Sequence, residues 1–235
     1  MSMLLKTRQL IALLFITITL PAWAQDDMCS AFYNFEEGRT MVYTSYDKKD
    51  KEEGQMINKV LEVQELDDGV MAVVSSTLKD KKGKEQMTGE HEVYCKNNTL
   101  MMDVSGIMNP AMQNAFAGME VTIEGTALEV PEKLEVGMEL PDASTNIRAG
   151  SGGISIINMT VNITDRKVEG METITTDAGT FDCYRLTQTT EVQLMGKRSF
   201  KSVDYFAEGI GMVRSESYDR KGRLDSYMEL TSMEQ

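Results

Sequence analysis

The segment "IINMTVNIT" at positions 156–164 has the pattern that decides the fold class. Apolar and polar side chains take alternate positions along it, with Ile157, Met159, Val161 and Ile163 apolar and Asn158, Thr160 and Asn162 polar. An alternation with a period of two predicts a β-strand that has one buried face. The same pattern occurs at 70–78, 121–123 and 184–194. We therefore expect a chain that is β-structured almost throughout.

Three segments between predicted strands share one turn pattern, in which Asp and two basic residues are followed by Gly or Asp and another basic residue. They are "YDKKDK" at 46–51, "LKDKKGK" at 78–84 and "YDRKGR" at 218–223. Asp favours the first position of a type I turn, and Gly83 and Gly222 can adopt the left-handed conformation that closes a short hairpin. A lysine patch that binds anions is the alternative. Because each segment carries its own acids, we interpret all three as hairpin turns.

One segment, "NPAMQNAFAGM" at 109–119, predicts a short helix. Asn109 is suited to the N-cap and Pro110 to the first helical position. Gly118 would end the helix. The proline-containing segment at 129–144 is interpreted as a loop that crosses between strands.

The N-terminus has the pattern of a secretory signal peptide. Lys6 and Arg8 precede an apolar run at 10–20, and Ala22 and Ala24 fit the small-residue rule for signal peptidase. The apolar run is too short to span a bilayer. We expect cleavage near Ala24, which leaves a single periplasmic or secreted β-rich domain at 25–235 that is not membrane-spanning.

The charge of the chain limits its partners. Without Lys6 and Arg8 the formal net charge is −15, compared with −13 for the whole sequence. Such a surface repels phosphate backbones and anionic lipid headgroups. We therefore expect no nucleic acid partner.

The sequence contains few of the residues that the common catalytic and metal sites use. His91 is the single histidine, and no Gly-x-Ser-x-Gly motif is present. One histidine and three separated cysteines do not form a zinc-binding pattern. We predict no catalytic residue, no metal and no cofactor. Because acids are plentiful, a hydrolase that uses paired carboxylates remains an alternative, although stacking aromatic residues for a sugar are few.

The three cysteines allow more than one pairing. In an oxidising compartment, Cys29 and Cys95 could form a disulfide that closes a loop of about 66 residues and stabilises the fold by roughly 4 kcal/mol. Pairing of Cys95 with Cys183 is the rival, and the sequence does not decide between them. We take Cys29–Cys95 as the candidate disulfide. Cys183 would then be a free thiol on a strand face with Phe181, and we expect it to be buried and inert.

Methionine is unusually frequent, with 19 residues in the chain. Several methionines and one phenylalanine cluster in and around the predicted helix: Met101, Met102, Met108, Met112, Phe116 and Met119. Core filling is one explanation, and a thioether site for copper is another. The third is an adaptable apolar pocket, in which these six residues would be the ligand-binding side chains.

Two segments resemble a known group of exported bacterial domains. "VEGMETITTDAGTFDCYRLTQTTEV" at 168–192 and "VDYFAEGIGMVRSESYDRKGRLDSYMELT" at 203–231 are similar to the TapB-like domains of unknown function. The resemblance covers nearly the whole chain after the signal peptide. It implies a curved antiparallel sheet or open half-barrel with one short helix packed against it, similar to the LolA and LolB lipoprotein carriers.

From these observations we predict an exported, non-enzymatic protein that binds or carries an apolar or lipid-like ligand. An interaction module that binds another envelope protein is the first alternative. The carboxylate-dependent hydrolase is the second.

Overall fold

A computed structural model describes residues 32–33, 35–102, 119–152 and 154–234. Within these residues the chain forms thirteen β-strands: β1 Thr40–Asp47, β2 Glu52–Leu66, β3 Gly69–Asp80, β4 Glu85–Lys96, β5 Thr99–Met102, β6 Glu120–Gly125, β7 Leu128–Pro131, β8 Ala143–Ser151, β9 Ile154–Thr176, β10 Gly179–Gln193, β11 Lys197–Ala207, β12 Gly211–Tyr218 and β13 Leu224–Glu234. The prediction of a mainly β chain is confirmed.

All thirteen strands belong to one open antiparallel sheet, in the order β6-β8-β9-β10-β11-β12-β13-β1-β2-β3-β4-β5-β7. The described residues contain no helix, and the predicted helix at 109–118 lies outside them. The predicted signal peptide at 1–24 also lies outside the described residues.

The three predicted hairpin turns are confirmed, and they share one hydrogen-bond pattern. In the β3–β4 turn, the backbone N–H groups of Lys82 and Lys84 donate to Asp80 Oδ1 at 2.9 and 3.0 Å. Asp47 and Asp219 accept the equivalent pairs of bonds in the β1–β2 and β12–β13 turns. These bonds hold the pKa of Asp47 and Asp80 below its usual value, whereas at Asp219 the side-chain hydrogen bond from Arg223 lowers the pKa most and the backbone bonds add to it.

Hairpins that alternate along the sheet lie at the same end of the strands. The tips of β1–β2, β3–β4, β8–β9, β10–β11 and β12–β13 form what we call the first rim, because each of these tips pairs across the sheet beside the next one. The tips of β2–β3, β4–β5, β9–β10 and β11–β12 form the second rim, at the opposite end of the strands. Antiparallel pairing of neighbouring strands makes this division unavoidable.

The main core lies on one face of the sheet, which we call the inner face. It unites side chains from eight strands and from the segments 32–33 and 132–142: Phe32, Val60, Ala72, Val74, Val93, Leu100, Val130, Leu134, Leu140, Val168, Leu186 and Phe206. Leu186 and Tyr184 of β10 contact this core, whereas Cys183 packs on the outer face with Val203 and Tyr205. The predicted division of β10 into two faces is therefore confirmed.

The two ends of the sheet approach each other without pairing. β6 and β7 are the two end strands, yet only Thr126 and Ala127 separate them in the chain. On the inner face, Met102 and Leu128 from one end pack in a cluster with Ile163 from the other. We call this junction the seam.

The predicted crossing loop is confirmed at 132–142, although the flanking residues of the predicted segment belong to β7 and β8. The loop runs alongside the middle of β9 and is hydrogen-bonded to it. The Leu140 N–H donates to the Arg166 carbonyl, and the Val168 N–H donates to the Met138 carbonyl, both at 2.9 Å. A bulge at this point places Asp165 at φ 54°, in the left-handed region.

Candidate functional site

A cavity of about 480 Å³ lies at the seam. Its walls come from both ends of the sheet: Tyr94, Lys96, Met101, Ile123, Gly125, Thr126, Ala127 and Thr145. The volume falls within the range of small-molecule sites, roughly 300–1,000 Å³. Among the described lining residues, Met101 and Ile123 are apolar, Thr126 and Thr145 are polar and Lys96 is cationic, a composition that fits an amphiphilic molecule.

The charged and aromatic side chains that line the seam cavity lie on β4. The Lys96 ammonium lies 5.4 Å from the centre of the Tyr94 ring and 3.8 Å from an oxygen of Asp68. The Tyr94 hydroxyl donates a hydrogen bond to Glu92. Because the Lys96 side chain is 37% exposed, its pairing with Asp68 contributes little to stability and leaves the ammonium accessible to a ligand.

The structure describes three of the six predicted ligand-binding residues. Met101 lines the seam cavity, and Met102 packs on the inner face against the seam cluster. Met119 packs beside Ile147 and Met159 at the other end of the sheet. Met108, Met112 and Phe116 lie outside the described residues, so their place in a ligand site stays a prediction.

Sequence reasoning missed most of the seam residues. Ile123 and Thr145 sit on predicted or adjoining strands, and nothing in a local pattern distinguishes them from other inward-facing positions. The sequence predicts only that Tyr94 and Lys96 lie at the end of a strand, before a turn. They become neighbours of Met101 because β4 and β5 pair, with Tyr94 opposite Met101.

A second feature that the sequence analysis missed is a buried polar network on the inner face. Arg166 is 3% exposed and Asp204 is 9% exposed. Arg166 donates from Nη1 to the Pro141 carbonyl at 2.6 Å and from Nε to Gln188 Oε1 at 3.3 Å. Gln188 Nε2 donates to Asp204 Oδ2 at 2.9 Å, and Ser215 Oγ donates to Asp204 Oδ1 at 2.5 Å. The network thus connects the crossing loop to four consecutive strands of the sheet.

Burial controls the ionisation of this network. Loss of solvent raises the pKa of Asp204 to about 6, against the opposing effects of the Ser215 hydrogen bond and the Arg166 charge. Burial also lowers the pKa of Arg166, although nearby carboxylates oppose this shift. Sequence periodicity hides the arginine because the bulge at Asp165 shifts the alternation and turns Arg166 inward.

A larger cavity, of about 880 Å³, is strongly charged. Four acids and four bases line it: Glu139, Asp142, Asp165, Glu169, Arg166, Lys167, Arg185 and Lys201. Lys167 and Glu169 already form an ion pair of 3.5 Å between their side chains. Eight charged side chains therefore line this groove.

Of the two described cysteines, Cys183 lies on β10 and Cys95 on β4, the strand that also carries His91. Cys183 is a free thiol with 0% exposure, and burial together with the neighbouring charges of Asp182 and Glu172 raises its pKa to about 11. His91 lies half-buried on β4, opposite Val74 of β3. Cys95 is buried on β4, and the proposed partner Cys29 lies outside the described residues, so that pairing stays a prediction.

Within the described part of the chain, no group of three or more His, Cys, Asp or Glu side chains is arranged to hold a metal ion. The described residues also include no helix that is long and apolar enough to cross a membrane.

The comparisons place the chain in a family. A family model described as DUF3108-like matches residues 36–230. The chain belongs to the DUF3108-like family. That match spans the strands from β1 to β13 and therefore includes the seam and the buried network. The TapB-like and LolA-like resemblances stay expectations.

Two solved structures share the fold of this DUF3108-like chain. One is a Bacteroides fragilis protein assigned as exported, with a YmcC-like fold, at a TM-score of 0.71 and 21% identity over 88% of this chain and 100% of its own. The other is a Parabacteroides distasonis protein assigned as a lipoprotein, at a TM-score of 0.72 and 24% identity over 88% of this chain and 99% of its own. No curated protein matches the chain.

Proposed function

We propose that this DUF3108-like protein is exported and binds an apolar or lipid-like ligand at the seam, without catalysis. The observation that carries the proposal is the 480 Å³ cavity between the two ends of the sheet, which combines Met101 and Ile123 with the Lys96 ammonium. The signal-peptide pattern supports export, as do the assignments of the two structural neighbours as exported or as a lipoprotein.

The lining supports a ligand with an apolar body and an anionic or polar end. Methionine is unbranched and polarisable, so Met101 can adjust to chains of different shape. Lys96 lies in the same cavity and can pair with a carboxylate or phosphate. Because the two walls belong to ends of the sheet that do not pair with each other, a small separation of those ends would admit a longer ligand.

The test is binding of a fluorescent fatty acid, with native mass spectrometry of the protein purified from its own host to detect a copurified lipid. Met101→Gln would place an amide in the cavity, and burial of an unpaired amide costs about 1–3 kcal/mol, or roughly 5- to 150-fold in affinity. Met171→Gln is the matched control, because Met171 is 58% exposed on β9 and does not line the cavity. No binding by the wild type, or equal loss in both variants, would refute the proposal.

The larger, charged cavity favours a second candidate, a carboxylate-dependent hydrolase. Its four acids include Glu139 and Asp142 of the crossing loop. Hydrolysis of chromogenic esters and glycosides by the wild type, and its loss in Glu139→Gln or Asp142→Asn, would establish this candidate and displace the non-enzymatic binder. If the wild type hydrolyses none of these substrates, the hydrolase is excluded and ligand binding at the seam stays the proposed function.

A further inference from the structure

The first rim gathers most of the basic residues of the chain at one end of the sheet. Four segments form its basic part: 47–51, 79–84, 197–201 and 219–223. Two further cavities show that the tips adjoin in pairs. One is shared by the β1–β2 and β3–β4 tips, and the other by the β10–β11 and β12–β13 tips. The segments are far apart in the sequence, and the order of the strands in the sheet makes them neighbours.

The charge of these four segments is strongly positive. They contain thirteen of the 24 Lys and Arg residues of the chain and only four Asp residues. Three of those aspartates, Asp47, Asp80 and Asp219, accept two backbone hydrogen bonds each within their own turns. The lysines around them point outward and are exposed, as at Lys81 and Lys82.

Acids that flank the four segments reduce this charge without cancelling it. They are Glu52, Glu53, Glu85, Glu191 and Asp225. With these five included, the four segments and their flanking residues still have thirteen bases against nine acids. Lys197 forms an ion pair with Glu191, and Arg223 forms one with Asp219. The described ion pairs include no other base of the four segments.

The second rim has the opposite sign. Its turns and strand ends contain Glu65, Asp67 and Asp68 at the β2–β3 tip, Asp177 between β9 and β10, and Glu208 between β11 and β12, with one base, Lys96, at the β4–β5 tip. The 15 residues of β2 separate the two rims by roughly 45 Å. This far exceeds the screening length of about 8 Å in physiological salt. The net charge of −15 therefore does not govern what the first rim can approach.

Exposed apolar side chains occupy the same rim. Ile154 and Ile156, at the start of β9, are 71% and 64% exposed. Leu194 is 45% exposed at the β10–β11 tip, and its neighbour Met195 is fully exposed. Since Gln193 pairs with Thr160 of β9, both tips project in the same direction. Protruding apolar residues beside lysines are the composition that binds a membrane interface.

We propose that the first rim docks on an anionic lipid surface, with Leu194 and Met195 entering the headgroup layer while the surrounding lysines and arginines contact lipid phosphates. Charge complementarity selects an anionic surface, and the apolar tips select a lipid over an acidic protein or a nucleic acid. Docking in this orientation directs the acidic second rim away from the membrane. The proposal does not rest on the ligand proposed for the seam.

The experiment measures partitioning of the protein onto vesicles by sedimentation in 0.1 M salt. Vesicles of phosphatidylcholine with 30% phosphatidylglycerol are compared with pure phosphatidylcholine. The wild type is expected to bind the anionic vesicles and to be released as salt is raised to 0.5 M. Binding equally well to both vesicle types, or to neither, would overturn the proposal.

Two double variants distinguish the effect of lysines at the first rim from the effect of the net charge of the protein. Lys81→Gln with Lys82→Gln removes two exposed rim lysines, and each lysine is worth roughly fivefold in partitioning, so a loss of about 25-fold is expected. Lys59→Gln with Lys133→Gln makes the same change in net charge at exposed positions away from the rim, and less than a twofold effect is expected. Equal losses in the two doubles would refute rim docking.

A third variant tests the apolar tip. Met195→Ser leaves every charge in place, and weaker binding with an unchanged salt dependence is the expected result. An unchanged affinity would show that the tip does not enter the lipid and would overturn this part of the proposal. Met101→Gln should retain full vesicle binding, which keeps the outcome separate from that of the seam.

Discussion

Asp204 offers the sharpest quantitative test of the buried network. Burial raises the pKa of this carboxyl from 3.8 to about 6. Between these two values the native state binds more protons than the unfolded chain, so the free energy of unfolding falls as the pH rises through the window. At 1.36 kcal/mol per pKa unit the full effect is about 3 kcal/mol, of which about 2 kcal/mol falls between pH 4 and pH 7.

Asp204→Asn removes the titration while keeping the shape of the side chain. The Asn oxygen can accept from Gln188 Nε2, and its amide can donate to Ser215 Oγ, because a hydroxyl both donates and accepts. The variant should lose the part of the pH dependence of the unfolding free energy that comes from Asp204. The difference in stability between wild type and variant should therefore change by about 2 kcal/mol from pH 4 to pH 7, with the wild type losing relative stability at the higher pH.

The assay is urea denaturation at several pH values from 4 to 7, followed by circular dichroism. For a domain of this size a change of 2 kcal/mol corresponds to roughly 1 M in the urea midpoint. Asp67→Asn is the control, because Asp67 is an exposed acid in the β2–β3 turn, and its curve should stay parallel to that of the wild type. Parallel curves for Asp204→Asn and the wild type would refute the argument that burial controls this group.

Two further predictions test the packing of the sheet. Because Cys183 has 0% exposure and a pKa raised to about 11, an aromatic disulfide reagent at pH 8 should label it only after unfolding, and rapid labelling of the native protein would contradict this. Gly69→Ala should destabilise the fold by about 3 kcal/mol or more, because a Cβ there would lie 1.9 Å from the Cys95 carbonyl oxygen. Gly196→Ala, where no atom lies within 4 Å of the added Cβ, should leave the melting temperature nearly unchanged, and similar losses in both glycine variants would show that crowding at Gly69 is not the cause.

The strand and turn predictions succeeded where the signal is local. The alternation at 157–163 depends only on which face of one strand is buried, and β9 reproduces it. The Asp-led turns depend on hydrogen bonds within five residues, and all three have them. The faces of β10 followed from the same period of two, which placed Cys183 opposite Leu186.

The candidate sites depend on residues that no local pattern connects. Met101 and Ile123 share a cavity because the sheet brings its two ends together at Thr126 and Ala127. Arg166 faces Gln188 because a bulge reverses the alternation of β9 just before it. Both outcomes depend on pairing between strands that are distant in the sequence. The local pattern of apolar and polar residues does not specify that pairing.

The amino-acid sequence by itself determined that the chain is an alternating β protein with aspartate-led turns and the N-terminal pattern of an exported protein. It also contained each lysine of the turns, but as separate clusters with their own acids. Only the tertiary structure decided that these turns meet at one rim and the acids of the other turns at the opposite rim. The physical reason is that local hydrogen bonds and burial define each hairpin, whereas the order in which strands pair defines which hairpins become neighbours.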